Sequence, residues 1–349
     1  MKPVYIIAEC GQNHNGEFGL AQELIDMCVL PMYYAGQEFL GVQAIKFCKR
    51  DMQEEMTQEM ADRPYDSPHA FGSTYGEHRA KLELSYEEHA ALYNHAKYHG
   101  LDFIDTVCSP LAVEKLLKVC SPDKLKIASR DVTNIPLLKA VGETGIPVII
   151  SNGMADNVTL QRALEYLPQN KTVLYCVSEY PAGYESVKIA NFLDLMSTID
   201  GGDDNIIIGF SDHTSGVLAG AILASYGAEV IEKHITLDED VQKRLKGTDQ
   251  AGSIDRAGLY RYVRDIRNVG KMLSTDEPKN ENKIKTRTKL MRSACSSGWI
   301  HYGDVLTENH LCMLSPGDGM TWDEAFSVIG KKSKGEIPPM TKLEKEWFA

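Results

Sequence analysis

The sequence lacks the cysteine patterns of a zinc ribbon or a disulfide-stabilised fold. Its eight cysteines contain no CxxC pair, and several lie in apolar, strand-like segments, where a free thiol behaves as a small apolar side chain. No uninterrupted apolar run approaches the length of about eighteen residues that a transmembrane helix needs. No GxGxxG follows the first strand-like segment. These absences disfavour disulfide-rich, membrane-spanning and dinucleotide-binding proteins.

Positive charge is also scarce. The chain has 37 lysines and arginines against 49 acidic residues, a formal net charge of -12, and basic residues cluster only at 283–289. This balance argues against an extended nucleic-acid-binding surface, although it allows a local basic pocket for a small anion. The N-terminal segment enters "PVYIIAEC" without the features of a signal peptide. We therefore expect a cytoplasmic protein with small-molecule ligands and no nucleic-acid or membrane partner.

The apolar segments recur in a strand, loop and helix order. Eight short apolar runs are present, at residues 4–10, 42–48, 101–107, 124–129, 147–151, 172–177, 205–211 and 228–235. Helices are predicted at residues 18–30, 86–99, 111–119, 134–143, 156–167, 188–198, 215–226 and 255–273. Because the strands do not alternate apolar and polar residues, they predict a parallel sheet covered on both faces. Eight such units predict an α/β fold, a closed (β/α)8 TIM barrel, with an open doubly wound sheet as the alternative.

Three regions differ in composition. The barrel is expected to occupy residues 1–273, and the polar, proline-containing stretch 274–289 predicts a linker. Residues 290–349 contain short apolar pieces separated by "HYGD", "SPGDG" and "IPPMT", which predict a small β-rich domain. About sixty residues are only marginally stable alone. We therefore expect this domain to contact the barrel or another subunit.

Two strand-like runs end in histidine. "IIGFSDHT" places His213, and "VIEKHITLD" places His234, at the ends of the last two predicted strands. Neighbouring strands lie roughly 5 Å apart, which allows both imidazoles to bind one divalent ion such as manganese, iron, cobalt or zinc. The alternative is that each ring caps its own strand through a hydrogen bond. For the pair, the spacing favours a metal.

The other strand ends are polar as well, and they meet at the C-terminal face where barrel enzymes place their chemistry. Lys46 and Lys126 lie within apolar runs, and a buried ammonium group needs an anionic partner. That partner is either a structural carboxylate, such as Glu9, Asp131 or Glu232, or an anionic substrate. The remaining candidates at this face are Thr106, Ser129, Ser151, Asn152, Ser178, Tyr180, Ser211 and Asp212.

The ordered segments "IIAECGQNHNG", "IKF", "LKIAS", "SNGM", "IIGFSDHT", "VIEKHITLD" and "KGTDQAGS" resemble the sialic acid synthase family. That family has the motifs AEIGxNHxG, GSG, STGM, GxSDHT and ERHFT. The stretch "RPYDSPHAFGSTYGEH" is especially similar to the animal-type synthases that make 9-phosphates, and residues 290–349 resemble their C-terminal antifreeze-like (SAF) domain. The resemblance covers nearly the whole chain.

The resemblance implies a reaction between phosphoenolpyruvate and a hexose-type aldehyde that forms a nonulosonic acid and phosphate. Carried over by position, one group of residues would hold phosphoenolpyruvate, with Ser178 at the place of a usual asparagine: Lys46, Thr106, Lys126, Ser129, Ser178 and Ser211. His213 and His234 would bind the metal, typically Mn²⁺, with Mg²⁺ or Co²⁺ as alternatives. Glu9 would be the acid or base. Asp131, at the place of a usual glutamate, and Tyr180 and Tyr75 would lie near the sugar.

Several positions depart from the family pattern. Ser315 stands where bacterial members have an arginine that contacts the N-acyl group of the sugar in a partner subunit. Both N-acetylmannosamine and mannose, free or 6-phosphorylated, are therefore candidate acceptors. Cys48 replaces a usual glutamine, and "ASR" replaces GSG. Its Arg130 is either a contact for a sugar phosphate or a solvated surface residue.

Other activities are compatible with the same residues. A Schiff-base aldolase would use Lys126 as its nucleophile without a metal, and a related synthase would use a pentose or tetrose phosphate. A third alternative is a sugar-binding homologue that has lost catalysis. For the synthase, we expect a domain-swapped homodimer in which residues 290–349 of one chain cover the barrel mouth of the other.

Overall fold

The structure is a computed structural model, and it describes residues 2–199, 206–238, 248–275 and 281–349. The strands are β1 (Tyr5–Gly11), β2 (Tyr33–Tyr34), β3 (Gln37–Glu38), β4 (Ala44–Lys49), β5 (Asp102–Val107), β6 (Lys124–Ile127), β7 (Val148–Ser151), β8 (Lys171–Cys176), β9 (Ile206–Asp212), β10 (Val230–His234), β11 (Ser293–Ser296) and β12 (Leu311–Leu314).

The helices are α1 (Phe18–Cys28), α2 (Gln58–Asp62), α3 (Tyr75–Lys81), α4 (Tyr86–Tyr98), α5 (Pro110–Val119), α6 (Ile135–Glu143), α7 (Asn157–Leu164), α8 (Ile189–Ile199), α9 (Leu218–Ser225), α10 (Arg256–Met272), α11 (Glu281–Leu290) and α12 (Trp322–Phe326). Short 3-10 helices lie at Ser129–Asp131, Thr248–Gly252, Glu308–His310 and Lys345–Trp347. None of these described helices combines the length and apolar character needed to cross a lipid bilayer.

Eight parallel strands close into a barrel in the order β1-β10-β9-β8-β7-β6-β5-β4. The closed barrel predicted from the sequence is therefore confirmed, and the open sheet is wrong. The barrel interior contains an apolar layer in which Ile7, Ala44, Ile104, Ile149, Leu174 and Val230 pack together. A larger apolar cluster lies outside the strands and includes Leu24, Leu92, Leu116 and Phe192 from the surrounding helices. Burial on both faces explains why the strands show no apolar and polar alternation.

Local sequence explains the helix that ends the barrel region. Asp255 caps α10 because its side chain accepts a hydrogen bond from the backbone N–H of Gly258. Leu259, Val263 and Ile266 are buried along one face, as the helical period predicts. Val269 is only partly buried, and Leu273 lies just beyond the helix and is exposed.

The chain divides into two compact units, Met1–Ser274 and Thr275–Ala349. The second unit has its own apolar cluster, which includes Ile300, Leu306, Val328 and Phe348. Its only regular pairing among the described strands is the antiparallel hairpin of β11 and β12. The stretch predicted as a linker contains helix α11, whose side chains at 284–290 are exposed. The spacing of apolar residues did not predict this helix, because the described part of it has no buried face.

Candidate active site

A cavity of about 260 Å³ opens at the C-terminal ends of the barrel strands. Its wall contains all but two of the predicted site residues: Glu9, Lys46, Thr106, Lys126, Ser129, Ser178, Tyr180, Ser211, His213 and His234. The strand register explains the convergence, because Glu9 on β1 is paired with His234 on β10 and with Lys46 on β4. Parallel pairing therefore brings distant sequence segments to one end of the barrel.

Two lysines and two glutamates form a buried network in this cavity. Lys46 Nζ lies 2.7 Å from Glu9 Oε2 and 3.7 Å from Glu232 Oε2, and it donates a hydrogen bond of 3.0 Å to Thr106 Oγ1. Lys126 Nζ donates to Glu232 Oε2 at 3.3 Å. The structural ion pairs considered as an alternative are thus present with the two glutamates.

Hydroxyl groups complete the network. Lys126 Nζ donates to Ser151 Oγ at 2.6 Å, and Ser211 Oγ donates to Glu232 Oε1 at 2.9 Å. Ser129 Oγ and Ser178 Oγ are 3.1 Å apart. These hydroxyls can rotate to donate hydrogen bonds to an incoming anion.

The two glutamates differ in their ionisation. Burial raises the pKa of Glu9 to about 8, and the neighbouring Glu232 carboxylate adds to this effect against the opposing influence of Lys46. Burial also opposes ionisation of Glu232, but Lys126 and Lys46 outweigh it and hold the pKa of Glu232 down to about 2. Near neutral pH, two ammonium groups thus face one permanently ionised carboxylate. The cavity is suited to an anionic ligand.

The rings of His213 and His234 lie side by side, with centroids 5.5 Å apart and planes inclined at 53°. His213 Nδ1 is 2.7 Å from the carbonyl oxygen of Val177. Since a carbonyl only accepts, Nδ1 carries the hydrogen and Nε2 keeps its lone pair. His213 Nε2 is 3.0 Å from the hydroxyl of Tyr180. A backbone carbonyl that orients an imidazole in this way is typical of metal ligands.

His234 has a different environment. Its Nδ1 is buried without a hydrogen-bond partner in the described part of the chain. Burial lowers the pKa of both histidines to about 4, helped for His213 by the neighbouring His234. Both rings are therefore neutral near pH 7, which is the form that binds metals. The orphaned nitrogen and the neutral rings fit a divalent ion.

Other ligands would have to complete such a site. Within the described residues, these two rings do not form a compact group with a third histidine, cysteine or carboxylate whose ligand atoms all lie within 4.8 Å of one another. Remaining positions would thus be open to water or substrate, as in catalytic metal sites.

A carboxylate that sequence reasoning missed lies beside the histidines. A Cβ added to Gly11 would lie 3.0 Å from Asp249 Oδ2 and 3.3 Å from both Glu9 Oε1 and His234 Cε1. Asp249 belongs to the segment "KGTDQAGS", which carried the family resemblance without marking a particular residue. Its Lys246 and Gly247 lie outside the described residues. Only the fold brings Asp249 to the cavity wall.

Two predicted site residues do not line the cavity. Asp131 lies at the end of a 3-10 helix, where its carboxylate contacts Arg130 at 3.3 Å and accepts a hydrogen bond from Asn134. Ser129, at the start of the same 3-10 helix, lines the cavity, whereas Asp131 does not. The hydroxyl of Tyr75 accepts hydrogen bonds from Nε and Nη2 of Arg79, which does line the cavity.

Three arginines, Arg50, Arg79 and Arg130, form part of the wall, and sequence reasoning missed the first two. Arg79 lines the cavity and donates from Nη1 to Gln12 Oε1 at 2.9 Å. Arg130 also lines it, but its guanidinium donates two hydrogen bonds to Glu55, at 3.0 and 3.1 Å. Arg130 is therefore an ion-paired wall residue rather than a free surface cation.

Two cysteines also belong to the wall. Cys48, at the position of the family's usual glutamine, has its Sγ 3.8 Å from Sγ of Cys108. Cys176, which sequence reasoning also missed, lies 3.6 Å from His213 Nδ1 through its Sγ. Burial raises the pKa of Cys176 to about 11, so this thiol stays protonated near neutral pH.

Comparison with known proteins gives a consistent result. The model of the NeuB family matches residues 35–278. This chain belongs to the NeuB family. The resemblance to the sialic acid synthases is thereby confirmed, and the protein is an enzyme of that family.

Individual NeuB relatives match over nearly the full chain. N-acetylneuraminate-9-phosphate synthase of Homo sapiens is 31% identical over 335 residues, which cover 95% of this chain and 88% of the relative. N,N'-diacetyllegionaminic acid synthase of Legionella pneumophila is 32% identical over 351 residues, with coverages of 97% and 93%. The N-acetylneuraminic acid synthetase of Leptospira borgpetersenii, solved with citrate, aligns at a TM-score of 0.64 and 27% identity and covers 83% of this chain and 93% of that one.

Proposed function

We propose that this NeuB enzyme condenses phosphoenolpyruvate with a mannose-type aldose, either N-acetylmannosamine, mannose or one of their 6-phosphates. The products are a sialic or nonulosonic acid and inorganic phosphate. The protein is a phosphoenolpyruvate-dependent transferase that forms a carbon–carbon bond, as are the sialic, legionaminic and pseudaminic acid synthases to which it is related. The observation that carries the proposal is that two buried ammonium groups and two neutral imidazoles line one cavity.

Phosphoenolpyruvate has a carboxylate and a phosphate, which require cationic and hydrogen-bonding groups. Lys46 and Lys126 supply the charge, and they are 4% and 3% exposed, so a ligand held there is shielded from water. Charge-assisted hydrogen bonds in such a site are stronger than neutral ones. The hydroxyl groups that would complete the contacts belong to Thr106, Ser129, Ser178 and Ser211.

His213 and His234 would hold a divalent ion, and Mn²⁺ is the proposed one, with Mg²⁺ or Co²⁺ as alternatives. When bound, the ion acts as a Lewis acid for the aldehyde oxygen of the sugar. The carbonyl of Val177 fixes the tautomer of His213, so Nε2 would be its ligand atom. Tyr180, whose hydroxyl contacts that nitrogen, would contact the acceptor sugar.

The reaction requires attack, hydration and elimination. C3 of the enol attacks the aldehyde carbon, protonated Glu9 gives its proton to the alkoxide, and positive charge develops at C2. Water adds at C2 and passes its proton to the Glu9 carboxylate so formed, so that Glu9 would act first as the acid and then as the base. The tetrahedral adduct then expels phosphate by cleavage of the C2–O bond. The two lysines keep the anionic groups in place throughout.

We further propose that the unit Thr275–Ala349 is an antifreeze-like domain, on the basis of its sequence resemblance and its separate apolar core. In a homodimer it would cover the barrel mouth of the partner subunit. Ser315, where the bacterial relatives have arginine, would then leave the N-acyl contact unmade. Mannose and its 6-phosphate therefore remain acceptors alongside the N-acetylated sugars.

One observation favours a second candidate, a Schiff-base aldolase. Burial lowers the pKa of Lys126, which is a property of lysines that form imines. Borohydride treatment in the presence of pyruvate traps such an imine as a stable mass increase on Lys126. The synthase proposal expects no trapped adduct and loss of turnover in chelator.

Phosphate release from phosphoenolpyruvate tests the proposed reaction. The acceptors are mannose, N-acetylmannosamine, their 6-phosphates and diacetamido-hexoses, and the product is identified by mass. We expect release only with a sugar present, its loss on chelation and its return with Mn²⁺. If the metal-loaded protein releases no phosphate with any of these sugars, the proposed function is wrong.

A further inference from the structure

A second group of metal-ligating side chains lies on the outer helical layer. Asp26, His95 and His99 bring one ligand atom each to within 4.8 Å of one another. We propose that these residues bind a divalent transition-metal ion of the zinc class, at a site separate from the active-site cavity. The proposal goes beyond the proposed function and does not depend on it.

The distances between the ligand atoms suit such an ion. Asp26 Oδ1 lies 2.7 Å from His95 Nε2 and 3.5 Å from His99 Nε2. Zinc binds nitrogen and oxygen at about 2.0–2.2 Å, so tetrahedral ligands are separated by about 3.3 Å. The two separations from Asp26 Oδ1, 2.7 and 3.5 Å, lie on either side of this value. The imidazole rings of His95 and His99 have their centroids 4.8 Å apart.

The backbone holds the ligands in a suitable arrangement. His95 lies in the last turn of α4 and His99 caps its C-terminus, so their spacing of four residues puts both rings on one face of the helix. Asp26 lies in the last turn of α1, which ends at Cys28. Two helix C-termini therefore converge on the group. Their partial negative charges favour a cation at this position.

The donor set selects the class of ion. Two imidazoles and one carboxylate are typical ligands of zinc, cobalt, nickel and copper, whereas magnesium and calcium prefer oxygen ligands alone. The side chains of His95 and His99 are 25% and 27% exposed, and that of Asp26 is 56% exposed. An ion can therefore enter from solvent, and a water molecule can complete a four-coordinate site. Bound there, the metal would join α1 to α4.

The alternative is a hydrogen bond or ion pair between Asp26 and His95 that binds no metal. The variant His99→Gln separates the two, because it removes one ligand and leaves the 2.7 Å contact between Asp26 and His95 in place. A matched control is His301→Gln. His301 also contacts a carboxylate at 2.7 Å, that of Glu336, but it belongs to no three-ligand group among the described residues.

Equilibrium dialysis of the full-length protein against Zn²⁺, followed by elemental analysis, measures the number of bound ions. We expect His99→Gln to lose one equivalent, or to bind it at least tenfold more weakly, while His301→Gln binds as the wild type does. With Co²⁺ as the probe, the difference in visible absorption between wild type and His99→Gln should have the intensity of a four-coordinate ion. Equal Zn²⁺ content in the wild type and His99→Gln would overturn the site.

A protein variant that lacks both cavity histidines makes this test independent of the proposed function. The double variant His213→Ala/His234→Ala should retain the equivalent that His99→Gln loses. The surface site should also raise the melting temperature of this double variant on addition of Zn²⁺, since an ion that binds only the folded state stabilises it. Absence of that rise would count against the site. Turnover with phosphoenolpyruvate should be the same for His99→Gln and wild type.

Discussion

Glu9 and Lys46 face each other across neighbouring barrel strands, with Glu9 Oε2 2.7 Å from Lys46 Nζ. The same ammonium group lies 3.7 Å from Glu232, on the strand at the other side of Glu9. One buried cation is thus shared by carboxylates from β1 and β10, the next two strands around the barrel from β4. An anionic substrate must compete with these carboxylates for the lysine. The lysine that pairs with Glu9 and Glu232 in the absence of a ligand is therefore also the group that would bind the anionic substrate.

Replacement of Lys126 tests the anion site. Lys126→Met should lower kcat/KM for phosphoenolpyruvate at least about 100-fold, the scale of loss when one charge-stabilising donor is removed from an active site. Lys124→Met is the matched control on the same strand, because Lys124 contacts Tyr5 and Asp102 instead of the cavity. Phosphate release measures both variants, with thermal unfolding to verify the fold. A similar kcat/KM for the two would contradict the role of Lys126.

Replacement of His213 tests the proposed metal ligands. His213→Ala should bind about one equivalent less Mn²⁺ and should lose phosphate release, because it removes a nitrogen whose lone pair faces the cavity. The fold should persist, since the ring is one of many contacts at the barrel mouth. Elemental analysis after loading with Mn²⁺ gives the metal content. Unchanged Mn²⁺ in this variant would remove the assignment.

Gly11 offers a test of the space beside the histidines. Gly11 has a positive φ of +50°. The substitution Gly11→Ala adds a Cβ that lies 3.0 Å from Asp249 Oδ2 and 3.3 Å from His234 Cε1. Gly36→Ala is matched to it, because Gly36 has a φ of +77° but no atom within 4 Å of the added Cβ. Both substitutions should lower the free energy of unfolding by about 1–2 kcal/mol, the cost of a left-handed conformation.

Only the first of these should affect catalysis. We expect Gly11→Ala to reduce turnover at least about tenfold, equivalent to about 1.4 kcal/mol, and Gly36→Ala to leave it unchanged. Urea unfolding and phosphate release measured on the same samples separate the two effects. Equal activities would show that the space beside Gly11 is not needed.

His14 should make the fold sensitive to acid. Burial lowers its pKa from 6.5 to about 4, so below pH 6.5 the unfolded chain takes up the proton first. Stability therefore falls as the pH drops from about 6.5 to about 4, by up to about 3 kcal/mol from this residue alone. His14→Gln should show a smaller decline over that range in urea unfolding, even if it is less stable at pH 7. The same slope for both proteins would contradict the prediction.

Removal of residues 280–349 tests the role of the second unit. The barrel unit has its own apolar core, so the shortened chain should fold. We expect it to lose dimer content in light scattering and to turn over phosphoenolpyruvate more slowly than the full chain. Full activity of the shortened protein would rule out a lid formed by the partner subunit.

The sequence by itself determined the barrel and the face that carries the site. Strand runs without alternation require burial on both faces, and parallel strands direct all their C-terminal ends to one side. For this reason Lys46, Lys126, His213 and His234 were identified without a structure. The exposed helix α11 was missed because its described part lacks the apolar face that the helical period detects.

Only the tertiary structure decided the contacts between these residues. Asp249 lies in the segment that follows β10, and Arg79 lies in α3, between β4 and β5. The apolar period of the sequence does not predict that these segments reach the cavity wall. In the turn after β6, Ser129 lines the cavity and Asp131 does not. His95 and His99 show a helical spacing in the sequence, yet Asp26 joins them only because α1 and α4 pack side by side. Local patterns specify elements and faces, whereas distances between side chains depend on how the whole chain packs.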